Sequence, residues 1–497
     1  MEIVFHKLRN YFNVFKSTLA IAAWAEMQKY TLILSAIYLV GFYPLLRANV
    51  YYKDDMVRAV TGGQYWSNYS RWISMKLSFL VHAGLPLTDV SPLTQILAIL
   101  FMGLAGVVII FVFCDKHKIT IWHLLAVVPM TFSPYFLECI SYKYDAPYMA
   151  LSVLASVFPF LYVEKSSFTF VTISFLGILT MCCTYQSSSG IYALVAAFFV
   201  FHKWIKGCAL SHVLKKLGVS FAIFASALLF YKFFLLTPLK AGYVDTNVSE
   251  FAKILSVFTK NVTTYFSLLK SDTIIYWQVL VFMIVIAYLI SLTICSTQNK
   301  ILTAIIGIML IAVASVASYG VFLFLDRPLF EPRGLYGVGI LFAIISVNAI
   351  ILIDKNIPAK VLCFLLSWSL FIFTCTYGNA LFQQQNYQNL RTALMLQDLN
   401  HIPLATPPQT LQIQGNIGYA PVVKLMMKKY PVLDRLIRPF GSAYGSEHYI
   451  YQQLNLLGFK TTFKKQQDFE VFKLKPIIQT RYHIIKSDNK RVLVVLR

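Results

Sequence analysis

The sequence predicts an all-α polytopic membrane protein of about eleven transmembrane helices, followed by a small α+β domain. Three observations predict it. Of the 497 residues, 58% are hydrophobic and 13% charged, against roughly 45–50% apolar content in a soluble domain. Apolar runs long enough to span a bilayer, about 17–25 residues, recur between charged or turn-rich breaks. After Tyr377 the chain becomes far more polar. A water-soluble fold is excluded, and the 15% aromatic content suits a protein that meets lipid tails and headgroups.

Residues 1–29 carry several Lys and Arg around an amphipathic stretch and are expected on the cytoplasmic surface. No small-residue cleavage site follows the first apolar run, which therefore reads as an anchor. Spans are expected near residues 31–46, 92–113, 121–137, 147–163, 168–183, 191–202, 217–236, 273–295, 301–324, 335–352 and 361–377, so that residues 1–377 form the membrane domain. The connections at 115–118, 164–166, 203–216, 296–300 and 354–360 are largely basic and fit the cytoplasmic side. That leaves the loops at 47–90, 138–146, 237–272 and 326–333 outside, together with residues 378–497. In this last segment 411–413 reads as a strand, 421–428 and 447–457 as helices, and 482–486 with 491–496 as a hairpin around Ser487-Asp488-Asn489-Lys490.

The net charge of +22 points to anionic partners, either acidic lipid headgroups or a phosphorylated substrate, more than to nucleic acid. Cytoplasmic basic loops account for part of it. The eight cysteines lie scattered, mostly in apolar runs, with neither metal spacing nor a disulfide framework.

The outer loops hold the candidate chemistry. The first reads Tyr51-Tyr52-Lys53-Asp54-Asp55-Met56-Val57-Arg58, then Gly62-Gly63-Gln64-Tyr65-Trp66 and Ser70-Arg71-Trp72. A carboxylate at Asp54 or Asp55 can deprotonate an acceptor hydroxyl as it attacks a sugar, and Arg58 and Arg71 can bind a departing phosphate. The competing reading is a solvated pair capping a helix at Met56. In the second loop, Glu138, Lys143 and Asp145 sit where two spans meet water, where charge near hydrocarbon is costly; interfacial anchoring is the alternative. Tyr185-Gln186-Ser187-Ser188-Ser189-Gly190 offers hydroxyl and amide contacts to a sugar, or is a plain turn. Of Arg327 and Arg333, the latter is the better candidate for a phosphate, its fork being suited to paired hydrogen bonds; lipid headgroup contact is the alternative. The histidines, His448 included, show no ligand spacing, and the chemistry requires no metal. Asn68, Asn247 and Asn261 lie in Asn-x-Ser/Thr triplets too short to carry a glycosylation assignment.

Taken together these residues resemble the serotype-converting O-antigen glucosyltransferases of phage-type glucosylation cassettes, a family of multi-spanning GT-C architecture. The resemblance lies in Asp54-Asp55 with Arg58 and Trp66, in Pro134-Tyr135-Phe136-Leu137-Glu138 through Tyr142-Lys143-Tyr144-Asp145, and in Tyr185-Gln186. It continues in Arg333-Gly334, Tyr377-Gly378-Asn379-Ala380, Gln383, Gln385 and Asp398-Leu399-Asn400. It implies an undecaprenyl-phosphate-glucose donor, made on the cytoplasmic side by a synthase and moved across by a flippase. Transfer to O-antigen repeat units of lipopolysaccharide would follow on the periplasmic face of the bacterial inner membrane, without a cofactor. The resemblance makes Asp54, Asp55, Glu138 and Asp145 catalytic candidates. Arg58, Arg71, Lys143 and Arg333 are then candidates for the donor phosphate, and Trp66, Tyr185 and Gln186 for the sugar. A flippase or transporter for a lipid-linked sugar would place charges or breaks within the spans, which are nearly clean here. An O-antigen polymerase or ligase shares location and donor class.

Overall fold

The computed structural model describes residues 21–114, 119–237, 251–353, 356–402, 410–441, 447–459, 474–487 and 491–497. Most of the amphipathic N-terminus, the 115–118 connection, Asn247 and Asp488 to Lys490 of the hairpin turn lie outside them.

Among the described residues, seven helices are long and apolar enough to cross a membrane: Trp24–Ala48, Leu93–Phe113, Gln186–Ile205, Leu210–Leu235, Ile275–Cys295, Lys300–Ala317 and Ile357–Asn400. The pair Ile121–Phe132 and Pro134–Ser141, bent by 66°, makes an eighth if counted as one span. Ala146–Tyr162, Ser167–Cys182 and Gly337–Ile351 occupy the remaining expected positions but are shorter apolar helices. Length and composition thus establish seven or eight of the expected eleven.

Lipid explains the outer surface. Only 17% of the apolar window in Lys300–Ala317 is buried, and Ile301, Ile305, Ile308, Met309 and Val313 point outward, a face that water would not tolerate but hydrocarbon accepts. Helix starts are set by side chains: Asn299 accepts the amides of Ile301 and Leu302, Ser166 that of Thr169, and Asn356 that of Ala359. The 66° bend falls at Ser133, held extended at φ −52, ψ 137, because the ring of Pro134 disfavours helical backbone in the residue before it.

The connections gather at two ends. At one, Lys216 Nζ donates to Glu164 Oε2 at 2.7 Å and to the Val163 carbonyl at 3.0 Å, while the Thr297 amide donates to the Ile205 carbonyl at 2.9 Å. At the other lie the first two expected outer loops, the 331–333 turn and the C-terminal segment. The first loop is more ordered than expected, with helices Asp55–Thr61 and Trp72–Val81 and a 3-10 turn at Trp66–Tyr69; the 237–272 loop contains the helix Ile254–Asp272.

Helix Ile357–Asn400 runs unbroken through Tyr377 and Gly378 and carries the chain out of the bundle into the C-terminal part. Gly378 is required by a close crossing: a Cβ there would meet the Leu45 amide nitrogen at 2.4 Å. The strands β1 (Thr410–Gln414), β2 (Lys475–Gln479), β3 (His483–Ser487) and β4 (Arg491–Leu496) form one sheet in the order β1-β4-β3-β2. β1 is parallel to β4 and the other pairs are antiparallel. Leu411, Ile413, Ile450, Leu454, Ile485 and Val494 make a core against Met395 and Leu399 of the long helix, and Met56 of the first loop inserts into it. The expected strand, both helices and the hairpin are present. β2 and the short helix Leu433–Leu436 were not expected; β2 is mostly exposed and lacks apolar alternation.

Candidate active site

The adjacent acids of the first loop separate at the start of a helix. Asp54 is the N-cap residue of Asp55–Thr61, its carboxylate makes no capping bond, and it is exposed. Asp55 is fully buried. It accepts the Lys143 amide at 2.8 Å, the Tyr52 amide at 3.2 Å and the Tyr144 amide at 3.3 Å. Burial pushes its carboxyl up to about 8, against the pull of the Lys143 and Tyr144 amides and the nearby Arg58 guanidinium. Asp55 therefore ties the first outer loop to the second.

Two further ties lie beside it. The Arg58 guanidinium pairs with Asp145, which also accepts the indole N–H of Trp66, and Arg58 stacks on the Trp66 ring at 4.6 Å; all three are buried. Lys143 Nζ pairs with Asp89 at 2.8 Å and lies 4.2 Å from the Tyr51 ring.

Glu138 is carried inward on the segment after the 66° bend and is fully buried. It meets Lys53, the Arg333 guanidinium at 3.0 Å and the Arg333 amide at 2.7 Å. Lys53 also reaches Glu331 at 3.5 Å, and Arg438 of the C-terminal part pairs with Glu331 at 3.0 Å. Buried charges survive in low dielectric only when paired in this way. Below this network, Arg435 pairs with Asp272, whose carboxyl burial pushes up to about 6.

Arg71 differs from the other three cations proposed for the phosphate. Among the described residues it has no carboxylate partner, its Nε is buried without a hydrogen bond, and its guanidinium lies 5.1 Å from the Tyr69 ring and 4.6 Å from the Tyr185 ring. The Tyr185 hydroxyl donates to the Arg333 carbonyl at 3.4 Å, so Arg71 and Arg333 flank one ring. Gln186 Nε2 donates to the Tyr69 carbonyl at 3.1 Å and the Tyr231 hydroxyl at 3.0 Å. The three expected sugar contacts are thus anchored side chains: Trp66 and Tyr185 are each 1% exposed, and the Gln186 amide is held by protein groups. Arg327 is exposed and outside the network.

A cleft opens between the first loop, the long helix and the C-terminal part, lined among others by Tyr51, Lys53, Gln385, Gln388, Arg438 and Tyr449. Asp54 lies between its lining residues Lys53 and Met56. The Asp54 carboxylate also contributes, after burial, to holding the Tyr449 phenol above its ordinary range. Lys53, Glu331, Arg438 and Tyr449 were not singled out from sequence. Lys53 adjoins Asp54 and Glu331 stands two residues before Arg333, a signal that was legible; Arg438 and Tyr449 lie in a tail whose return to the first loop has no local signature.

Fold and site define a polytopic membrane protein that assembles a charge-rich site at one end of its helical bundle. Residues 43–344 match the family described as Glucosyl transferase GtrII, and the chain belongs to that family, which makes it a glycosyltransferase. It is also 23% identical over 413 residues to an uncharacterised 55.3 kDa protein in the gtrB 5′ region of Salmonella phage P22, covering 80% of this chain and 83% of the relative. The resemblance to phage-type serotype-converting glucosyltransferases is borne out. No solved structure matches.

Proposed function

We propose that the chain transfers glucose from undecaprenyl-phosphate-glucose to O-antigen repeat units on the periplasmic face of a bacterial inner membrane, with inversion at the anomeric carbon. The observation that carries this reading is that, of the four carboxylates expected to be catalytic, Asp54 alone is exposed and, among the described residues, without an ion-pair partner, next in sequence to Lys53, which lines the cleft. An acceptor hydroxyl attacks C1 of the glucosyl group and passes its proton to the Asp54 carboxylate. The bond from C1 to the phosphate oxygen breaks, and its electron pair leaves with the polyprenyl phosphate. Arg71, a cation with no carboxylate partner among the described residues, meets that phosphate; its planar fork suits two phosphate oxygens. Arg58, Lys143 and Arg333, with Asp55, Glu138 and Asp145, hold the loops in place, and Trp66, Tyr185 and Gln186 brace Arg71 and Asp145.

In this reading the chain crosses the membrane eleven times. Its N-terminus is cytoplasmic, and residues 378–497 act as a periplasmic domain. A donor synthase and a flippase supply the lipid-linked glucose. The test is lipopolysaccharide composition in a host of defined O-antigen, with and without the donor-making partners. Single glucose branches that appear only with the donor support the reading; transfer of whole chains would make the protein a polymerase or ligase.

A further inference from the structure

The cleft beside Asp54 has a chemistry of its own. Among the described residues two ionic side chains line it, Lys53 and Arg438, and both are already in ion pairs, Lys53 with Glu138 and Glu331 and Arg438 with Glu331. A site for a phosphate would carry a cation left without a carboxylate, as Arg71 is among the described residues. What the cleft leaves unspent is neutral hydrogen-bonding capacity. Gln388 Oε1 accepts from Gln384 Nε2 at 3.2 Å and from the Phe440 amide at 3.3 Å, which fixes the orientation of its amide group. Among the described residues its Nε2 donates to nothing, although the side chain lines the cleft. One turn away, Gln385 spends its Nε2 on Asn389 at 2.8 Å, and among the described residues its carbonyl oxygen accepts from nothing. On the facing wall, the Tyr449 hydroxyl has no hydrogen-bond partner among the described residues, and its ring lines the same space.

One donor, one acceptor, one hydroxyl able to do both and an aromatic ring are the complement of a polyol with apolar C–H faces. We propose that this cleft seats the acceptor as a neutral saccharide, held by Gln385, Gln388 and Tyr449, so that the C-terminal part of the chain selects the acceptor. The inference rests on the glucosyl-transfer reading. It adds that the acceptor hydroxyl is presented beside Asp54.

The test uses the purified full chain in nanodiscs, saturation-transfer NMR and the methyl glycosides of rhamnose, mannose and galactose, with inorganic phosphate as the anionic comparator. At least one glycoside is expected to receive saturation from the wild type. That signal should fall at least fivefold in Tyr449→Ala and in Gln388→Glu, which keeps the accepting oxygen and removes the donor, and should be unmoved by phosphate. In turnover, Tyr449→Phe and Gln385→Ala, mild enough to fold, are expected to raise the acceptor KM at least threefold and the donor KM by less than half of that factor. Absence of glycoside binding, binding indifferent to Tyr449→Ala and Gln388→Glu, displacement by phosphate, or equal rises in both KM values would each overturn the proposal. The binding arm needs no donor. A chain that binds glycosides in this cleft yet transfers no glucose would therefore sink the functional reading and leave the cleft assignment standing.

Discussion

Asp54 and Asp55 are neighbours in sequence and opposites in environment. An adjacent acidic pair beside the first span was legible as a candidate base. Which acid stays open was not, because the amides that claim Asp55 belong to Lys143 and Tyr144, 88 and 89 residues away. Replacing Asp55 by Asn puts an NH2 group where two buried amides need an acceptor. A loss of about 2–4 kcal/mol is expected from two unmet buried donors, read as a lower melting temperature in detergent; unchanged melting would remove Asp55 from its role as a tie. Asp272 gives a pH signature. Burial lifts its carboxyl from 3.8 to about 6, so the folded chain keeps a proton that the unfolded chain releases across that window. The contribution of this group to stability is therefore greatest at low pH and declines as pH rises from about 4 to 6. The wild type is expected to lose stability relative to Asp272→Asn over that interval, and parallel profiles would show that the group titrates normally.

At the scale of elements, the spans were legible wherever an apolar run was long. The shorter helices Ser167–Cys182 and Gly337–Ile351 were legible too, as apolar runs at 168–183 and 335–352, whereas the pieces inside the first loop were not, since their burial is decided by partners distant in sequence. The Ser133–Pro134 break was present in the sequence as a proline within an apolar run, but not its consequence, which is to turn Glu138 toward Lys53 and Arg333. Pro134→Ala removes the restraint on Ser133 and is expected to reduce glucosyl transfer at least tenfold with membrane insertion intact; full transfer would show that the bend is held by packing alone. Gly378→Val forces a branched side chain into the Leu45 backbone. Overpacking of this kind costs about 1–3 kcal/mol, measurable as a fall in the thermal midpoint of the purified protein, and a variant as stable as the wild type would deny the close crossing.

Across the whole molecule, the gathering of polar side chains at one end of the bundle was foreseeable from loop composition, as was a mixed α and β C-terminal part. Its insertion around Met56 was not, because a methionine in a polar loop carries no signal of the core it enters. In the proposed reading a lipid-borne donor and a saccharide acceptor meet beside the Asp54 carboxylate, which has no ion-pair partner among the described residues, while Lys53, Glu138, Glu331, Arg333 and Arg438 cancel in pairs. Turnover of polyprenyl-phosphate-glucose by the chain in proteoliposomes, wild type against Asp54→Asn, tests that arrangement most directly. Loss of a general base is expected to lower kcat by about 10²–10⁴-fold with thermal stability unchanged, and an Asp54→Asn protein that transfers glucose at the wild-type rate would contradict the account.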